Sequence, residues 1–135
     1  MPVDNHPSIT ILLVNEAGID GEQLAEKFLQ RVACRVLHAR SIDQALATMD
    51  HLHIDIVVAD SEVPEGEGTG SDLLRIISAQ SGTPPLLILM TSATKHLPEE
   101  NLSGIATVFR RPISMEALVH FAMDSISSLA TAAAV

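Results

Sequence analysis

Residues 54–64 read IDIVVADSEVP, a short apolar run that ends in an aspartate and then breaks into a loop. Ile54 to Ala59 reads as a β-strand, and "PEGEGTGS" after it delivers the chain to a helix carrying Leu73, Leu74, Ile76 and Ile77. Working outward, the same unit recurs on both sides. Ile9 to Val14, "ITILLV", is continuously apolar, as a strand covered on both faces should be. Leu24, Phe28 and Val32 then stand at helical spacing, which predicts an amphipathic helix over about residues 20–33. "CRVLHA" (34–39) is a less apolar strand, expected near an edge. Ser41 is a good N-cap for a helix with a stripe of Ile42, Ala45, Leu46, Met49 and Leu52.

Toward the C-terminus, "SGTPP" is a breaker cluster and "LLILM" (86–90) is the most apolar strand, expected to be central. "PEENLSGI" (98–105) allows only a short fourth helix, and "ATVF" (106–109) is a fifth strand. Ser114 can cap a last helix with a stripe of Leu118, Phe121, Ala122, Ile126 and Leu129. Five strands alternating with five helices predict an α/β fold, a doubly wound five-stranded parallel sheet of order 2-1-3-4-5, flavodoxin-like in topology. Residues 1–129 are expected to form one domain, with 130–135 an Ala-rich tail or truncated linker.

Composition narrows the function. The chain of 135 residues is one domain's length, since such a chain buries roughly 68% of its unfolded surface. Its 8 Lys and Arg against 17 Asp and Glu, a net charge of −9, argue against a nucleic-acid surface. Only 2% of residues are aromatic, which removes stacking platforms for bases, sugars or a flavin; a flavodoxin-like cofactor binder also lacks its hydroxyl-rich loop in "NEAGIDG". No stretch reaches the ~18 apolar residues of a membrane span, and "MPVDNHPS" does not read as a signal peptide. The single Cys34 sits in an apolar stretch and reads as a buried thiol; a cytoplasmic location fits.

In a parallel sheet the carboxyl ends of all strands share one edge, so residues following each apolar run meet there. Those residues are Asn15 and Glu16, Asp60, Thr91 and Ser92, and Arg110 and Arg111. Ligands bind outside this edge where strand order reverses, between strands one and three, and Glu16 and Asp60 flank that point. Two carboxylates so close repel, and a hard divalent cation, Mg²⁺ above all, relieves the repulsion. With a hydroxyl from Thr91 and a cation from Arg111, the constellation suits a phosphoryl group held at Asp60. The bland alternative is that polar residues follow strands in any α/β fold. "HLH" (51–53) reads as a surface turn at a helix end rather than a metal pair, for want of a third ligand, and His120 as solvent-facing or packed on the sheet.

From about Ser8 to Leu129 these residues resemble the receiver domains of bacterial two-component response regulators. The acidic pair of that family is matched by Asn15 and Glu16 in "LLVNEAG", the acceptor aspartate and its proline by Asp60 and Pro64 in "VVADSEVP". Thr91 in "ILMTSAT" matches the hydroxyl residue after strand four, and Arg111 and Pro112 in "VFRRP" match the Lys-Pro pair. The resemblance implies phosphoryl transfer from a histidine kinase or phosphotransfer protein to Asp60, at most a self-catalysed step. It implies Mg²⁺ held by Glu16, Asp60 and the Glu62 backbone carbonyl, with Asn15 contributing weakly through water. It further implies a cis peptide before Pro112, and an output domain or homodimer engaged by the face of the fourth helix, fifth strand and last helix.

Four departures stand out. Asn15 removes a charge and weakens the Mg²⁺ site; Arg111 replaces a compact ammonium with a planar fork. Val108 stands where the family often places a switch aromatic, with Phe109 on the opposite face of the strand. The loop "PEGEGTG" is about two residues longer than is common in the family and brings Glu65 and Glu67 near Glu62 and Asp60. These departures leave a second reading open, a phosphorylation-independent pseudo-receiver acting as a protein-interaction module.

Overall fold

β1 (Ile9–Val14) pairs in parallel with β2 (Cys34–Ala39) on one side and β3 (Ile56–Asp60) on the other. β3 pairs with β4 (Leu86–Thr91) and β4 with β5 (Thr107–Arg110), again in parallel, so the order is 2-1-3-4-5 as the alternation predicts. The structure is a computed structural model that describes residues 9–15, 19–61, 69–80, 82–91, 105–110 and 113–134. Four α-helices lie among these: α1 (Ile19–Arg31), α2 (Ile42–His51), α3 (Gly70–Ala79) and α4 (Met115–Ala134). The short helix expected over 98–105 falls outside the described residues except for Ile105, which is in a turn.

The apolar strands are buried on both faces, and the pleat sorts their residues by parity. Leu12, Val14, Val57, Ala59, Leu87 and Leu89 face α2 and α3, meeting Ile42, Ala45, Leu73, Leu74 and Ile77. Ile11, Leu13, Ile56, Val58, Ile88 and Met90 face α1 and α4, meeting Leu24, Phe28, Leu118 and Ala122. This two-sided cover explains why three strands carry unbroken apolar runs. It also corrects one expectation: β4 is interior but not central, because β1, β3 and β4 are equally covered and β3 holds the middle of the sheet.

Other corrections are local. β3 begins at Ile56 instead of Ile54 because the Asp55 side chain takes a ladder position: its Oδ2 accepts the Thr10 N–H at 2.9 Å. The Asp55 N–H donates to the Thr10 carbonyl and the Asp55 carbonyl accepts from Leu86. Leu52, expected in the α2 stripe, is 37% exposed, because α2 stops at His51 and Leu52 is its extended C-cap. Ile76 is 41% exposed: at 3.6 residues per turn it lies about 100° from the stripe of Leu73, Leu74 and Ile77. On α4 the buried stripe also takes in Val119 and Met123, since that helix packs on both the sheet and α1; the helix backbone runs on to Ala134, and the Leu129 side chain lies outside the described residues. No helix among the described residues is long and apolar enough to cross a membrane.

Caps set where the helices start. Ser41 accepts from the Gln44 N–H at 3.0 Å and Ser114 from Ala117 at 3.1 Å, as the sequence suggests. A capping box not foreseen from sequence starts α3: Thr69 Oγ1 accepts from the Asp72 N–H, and Asp72 Oδ2 accepts from the Thr69 N–H at 2.9 Å. That backbone bond, reinforced by Arg75 at 2.9 Å, holds the Asp72 carboxyl below the usual carboxylate range. Thr69→Ala should cost about 1 kcal/mol in urea unfolding. A depressed folded-state pKa stabilises above the unfolded value, near 3.9, and that contribution is lost as pH falls through the folded value. The deficit of Asp72→Asn should therefore be present at neutral pH and vanish on acidification below about pH 4.

Candidate functional site at the carboxyl edge of the sheet

Register brings the candidate residues together. Val14 is opposite Ala59, so Asn15 stands level with Asp60; Asp60 is opposite Met90, which places Thr91 one residue further along the same edge. Thr91 in turn is opposite Arg110, the exposed last residue of β5. Asp60 ends β3 half-buried, while Asn15 is 4% exposed and Thr91 is fully buried. Glu16, Glu62, Pro64, Glu65, Glu67, Ser92, Arg111 and Pro112, with the cis bond expected before Pro112, lie outside the described residues.

The backbone beneath Asp60 is fixed tightly. The Ser61 N–H donates to the Met90 carbonyl at 2.8 Å, carrying the β3–β4 pairing past Asp60, and the Gly70 N–H donates to the Ser61 carbonyl at 3.1 Å. The first turn of α3 thus sits directly against the end of β3 at Asp60. Gly70 is the residue at this contact: a Cβ there would overlap the Asp60 carbonyl oxygen and lie 2.8 Å from its carbon. Gly21, in the first turn of α1, stands likewise against Asn15, where a Cβ would lie 2.8 Å from Nδ2. Neither glycine, nor buried Ser61, stands out as a site residue in the sequence. The Thr69 cap followed at once by Gly70 is the one local signal for the α3 contact.

Two buried oxygens at this edge have no hydrogen-bond partner among the described residues, Asn15 Oδ1 and Thr91 Oγ1. A buried polar atom left without a partner costs roughly 1–3 kcal/mol. The two stand one on each side of Asp60 in the register. Asn15 Oδ1 is a hard, neutral oxygen of the kind Mg²⁺ takes, and the Thr91 hydroxyl can donate to an oxyanion.

Other candidates resolve as surface or core. His51 and His53 are exposed at the end of α2, His53 Nε2 lying 3.0 Å from Asp55 Oδ1, and no group of three metal-ligating side chains gathers among the described residues. His120 is exposed on α4, its Nε2 3.2 Å from Asp124 Oδ2. Cys34, expected as a buried thiol, is half-buried at the start of the edge strand β2, and its partial burial raises the thiol pKa.

No protein-family profile matches the sequence. No curated protein matches it either. Solved structures do. The receiver domain of the TMAO respiratory system response regulator TorR superposes with a TM-score of 0.75 at 17% identity, over 89% of this chain and 98% of that one. The chemotaxis response regulator CheY4 of Vibrio cholerae gives a TM-score of 0.66 at 18% identity, over 88% of this chain and 98% of that one. A probable two-component system response regulator/GGDEF domain protein gives 0.69 at 21% identity; the match covers 88% of this chain but 50% of that larger one. The chain has the receiver fold.

Proposed function

We propose that the chain is a receiver domain that accepts a phosphoryl group on Asp60 in two-component or phosphorelay signalling. The observation that carries this reading is the pair of buried oxygens without a partner among the described residues, Asn15 Oδ1 and Thr91 Oγ1, flanking Asp60 at the carboxyl edge of a receiver fold. An Asp60 carboxylate oxygen attacks the phosphorus of a phosphohistidine; the O–P bond forms, the P–N bond breaks, and the imidazole leaves with the bonding pair. Thr91 donates its hydroxyl hydrogen to a phosphoryl oxygen and gains a partner there, while Arg111 supplies positive charge. Asp60, Glu16 and the Glu62 carbonyl would hold Mg²⁺, with Asn15 reaching it through water; the ion offsets charge on the transferring group. Asn15 is neutral where the family has a carboxylate, which weakens that site.

Partners follow from the chemistry: a histidine kinase or phosphotransfer protein as donor, and an output domain or a second copy as reader, in the cytoplasm. Placement of Val108 among aliphatic side chains favours a second reading, an interaction module indifferent to phosphate. The two separate cleanly. Saturating small-molecule phosphodonor with Mg²⁺ should add one phosphoryl group by intact mass, and Asp60→Ala should take none. A wild-type chain that stays folded and gains no mass leaves the interaction module as the reading.

A further inference from the structure

The row of residues that runs sideways from Asp60 across the sheet ends in an aromatic pair. Asp60 is in register with Met90, and Met90 with Phe109. Strand alternation turns all three toward α1 and α4: Val58, two residues before Asp60, and Met90 are both buried in that cluster, and Phe109 packs against it. The Phe109 ring meets Phe121 of α4 edge-on, with centroids 5.6 Å apart and planes at 63°. Two of the three aromatic residues in the whole chain are spent on this contact. Phe121 is half-buried, so its ring lies between the core and the surface of α4.

The other face offers no comparable route. Val108 packs, as Ile105 and Ala106 do, against the core on the α2–α3 side, opposite Leu89 in the register. A β-branched valine is stiff at χ1 and has no ring to swing into space vacated by a neighbour. Phe109 and Phe121 are both half-buried and meet edge-on, and their planar rings pass a displacement from the packed core, which transmits strain, on to α4.

We infer that the state of Asp60 is carried through Met90 and Phe109 to Phe121, so the surface that changes is the α1–α4 seam rather than the Val108 side. A cavity of about 220 Å³ opens on that seam, lined by Lys27, Gln30, Arg31, Glu116 and Val119. Polar bridges span it: Lys27 Nζ to Glu116 at 3.3 Å, and Arg31 Nη2 to His120 Nδ1 at 3.4 Å. A small shift of Phe121 moves Glu116 and His120 on the same helix and re-spaces both bridges. This inference rests on phosphorylation of Asp60.

The test uses the full chain, labelled with ¹⁵N and with ¹³C in methionine methyls and phenylalanine rings, treated with a small-molecule phosphodonor and Mg²⁺. Intact mass first establishes the adduct. With the adduct formed, the Met90 methyl, both rings and the amides from Glu116 to Asp124 should shift, and Val108→Ala should keep that response. Phe121→Leu should take the phosphoryl group to the same extent yet lose the α4 shifts. An adduct that leaves Phe121 and the α4 amides of the wild type unmoved overturns the route while Asp60 stands as acceptor, whether or not the leucine variant folds. So does an adduct whose α4 shifts persist in Phe121→Leu. Absence of any adduct removes the premise, and the route with it.

Discussion

Gly70→Ala should lose at least about 3 kcal/mol of stability, read as a fall in the urea midpoint, the upper end of what overpacking usually costs. The added methyl would overlap the Asp60 carbonyl oxygen, lie 2.8 Å from its carbon and meet Leu89 Cδ1 at 3.0 Å. Two of those neighbours are backbone of an interior strand, held by the Ser61–Met90 hydrogen bond, and cannot step aside as a flexible side chain does. The helix must back away instead, and it would strain the Gly70–Ser61 bond as it goes. Phosphoryl uptake at Asp60 should then drop even at temperatures where the variant is folded. A stability within about 0.5 kcal/mol of wild type would mean that α3 does not start against the Asp60 backbone.

Phe28→Ala should cost about 3–5 kcal/mol, a large part of the 5–15 kcal/mol that holds a domain of this kind together. Phe28 is the one fully buried phenylalanine among the described residues, enclosed on α1 by Leu24, β1 and α4. The cluster around it is apolar, so the vacated space gains no polar side chain to hold water. Phe28→Leu keeps most of the volume and should lose far less. Thermal or urea unfolding of the pair gives the comparison; equal losses would show the site collapsing freely. Because α1 carries Gly21 against Asn15 at its other end, a loosened α1 also frees the Asn15 side chain.

Much of the architecture was legible because burial on two faces leaves a plain trace. ITILLV and LLILM can only be covered strands, and the order 2-1-3-4-5 follows from their alternation with helices. Boundaries were less legible where a side chain does backbone work: Asp55 bonding Thr10 delays β3, and Leu52 as an extended C-cap leaves its stripe. The site's outline, Asn15, Asp60 and Thr91 on one edge, was readable because each follows an apolar run. The roles of Gly70 and Gly21 were not, since a glycine in a sequence does not say which distant backbone or amide presses against it. Nor does composition reveal that two phenylalanines twelve residues apart, Phe109 and Phe121, close on each other across β5 and α4.

The bond between Ser61 and Gly70 has a consequence for how such a chain can diversify. It joins the two ends of the acidic segment 62–68, so the span to be bridged is set by the framework and not by the segment itself. Lengthening a closed segment is cheap, about 0.6 kcal/mol for each doubling. The number of carboxylates between Ser61 and Gly70 in the sequence can therefore change by insertion or deletion without altering the strand or the helix, so the charge of this stretch is an adjustable property of an otherwise fixed frame.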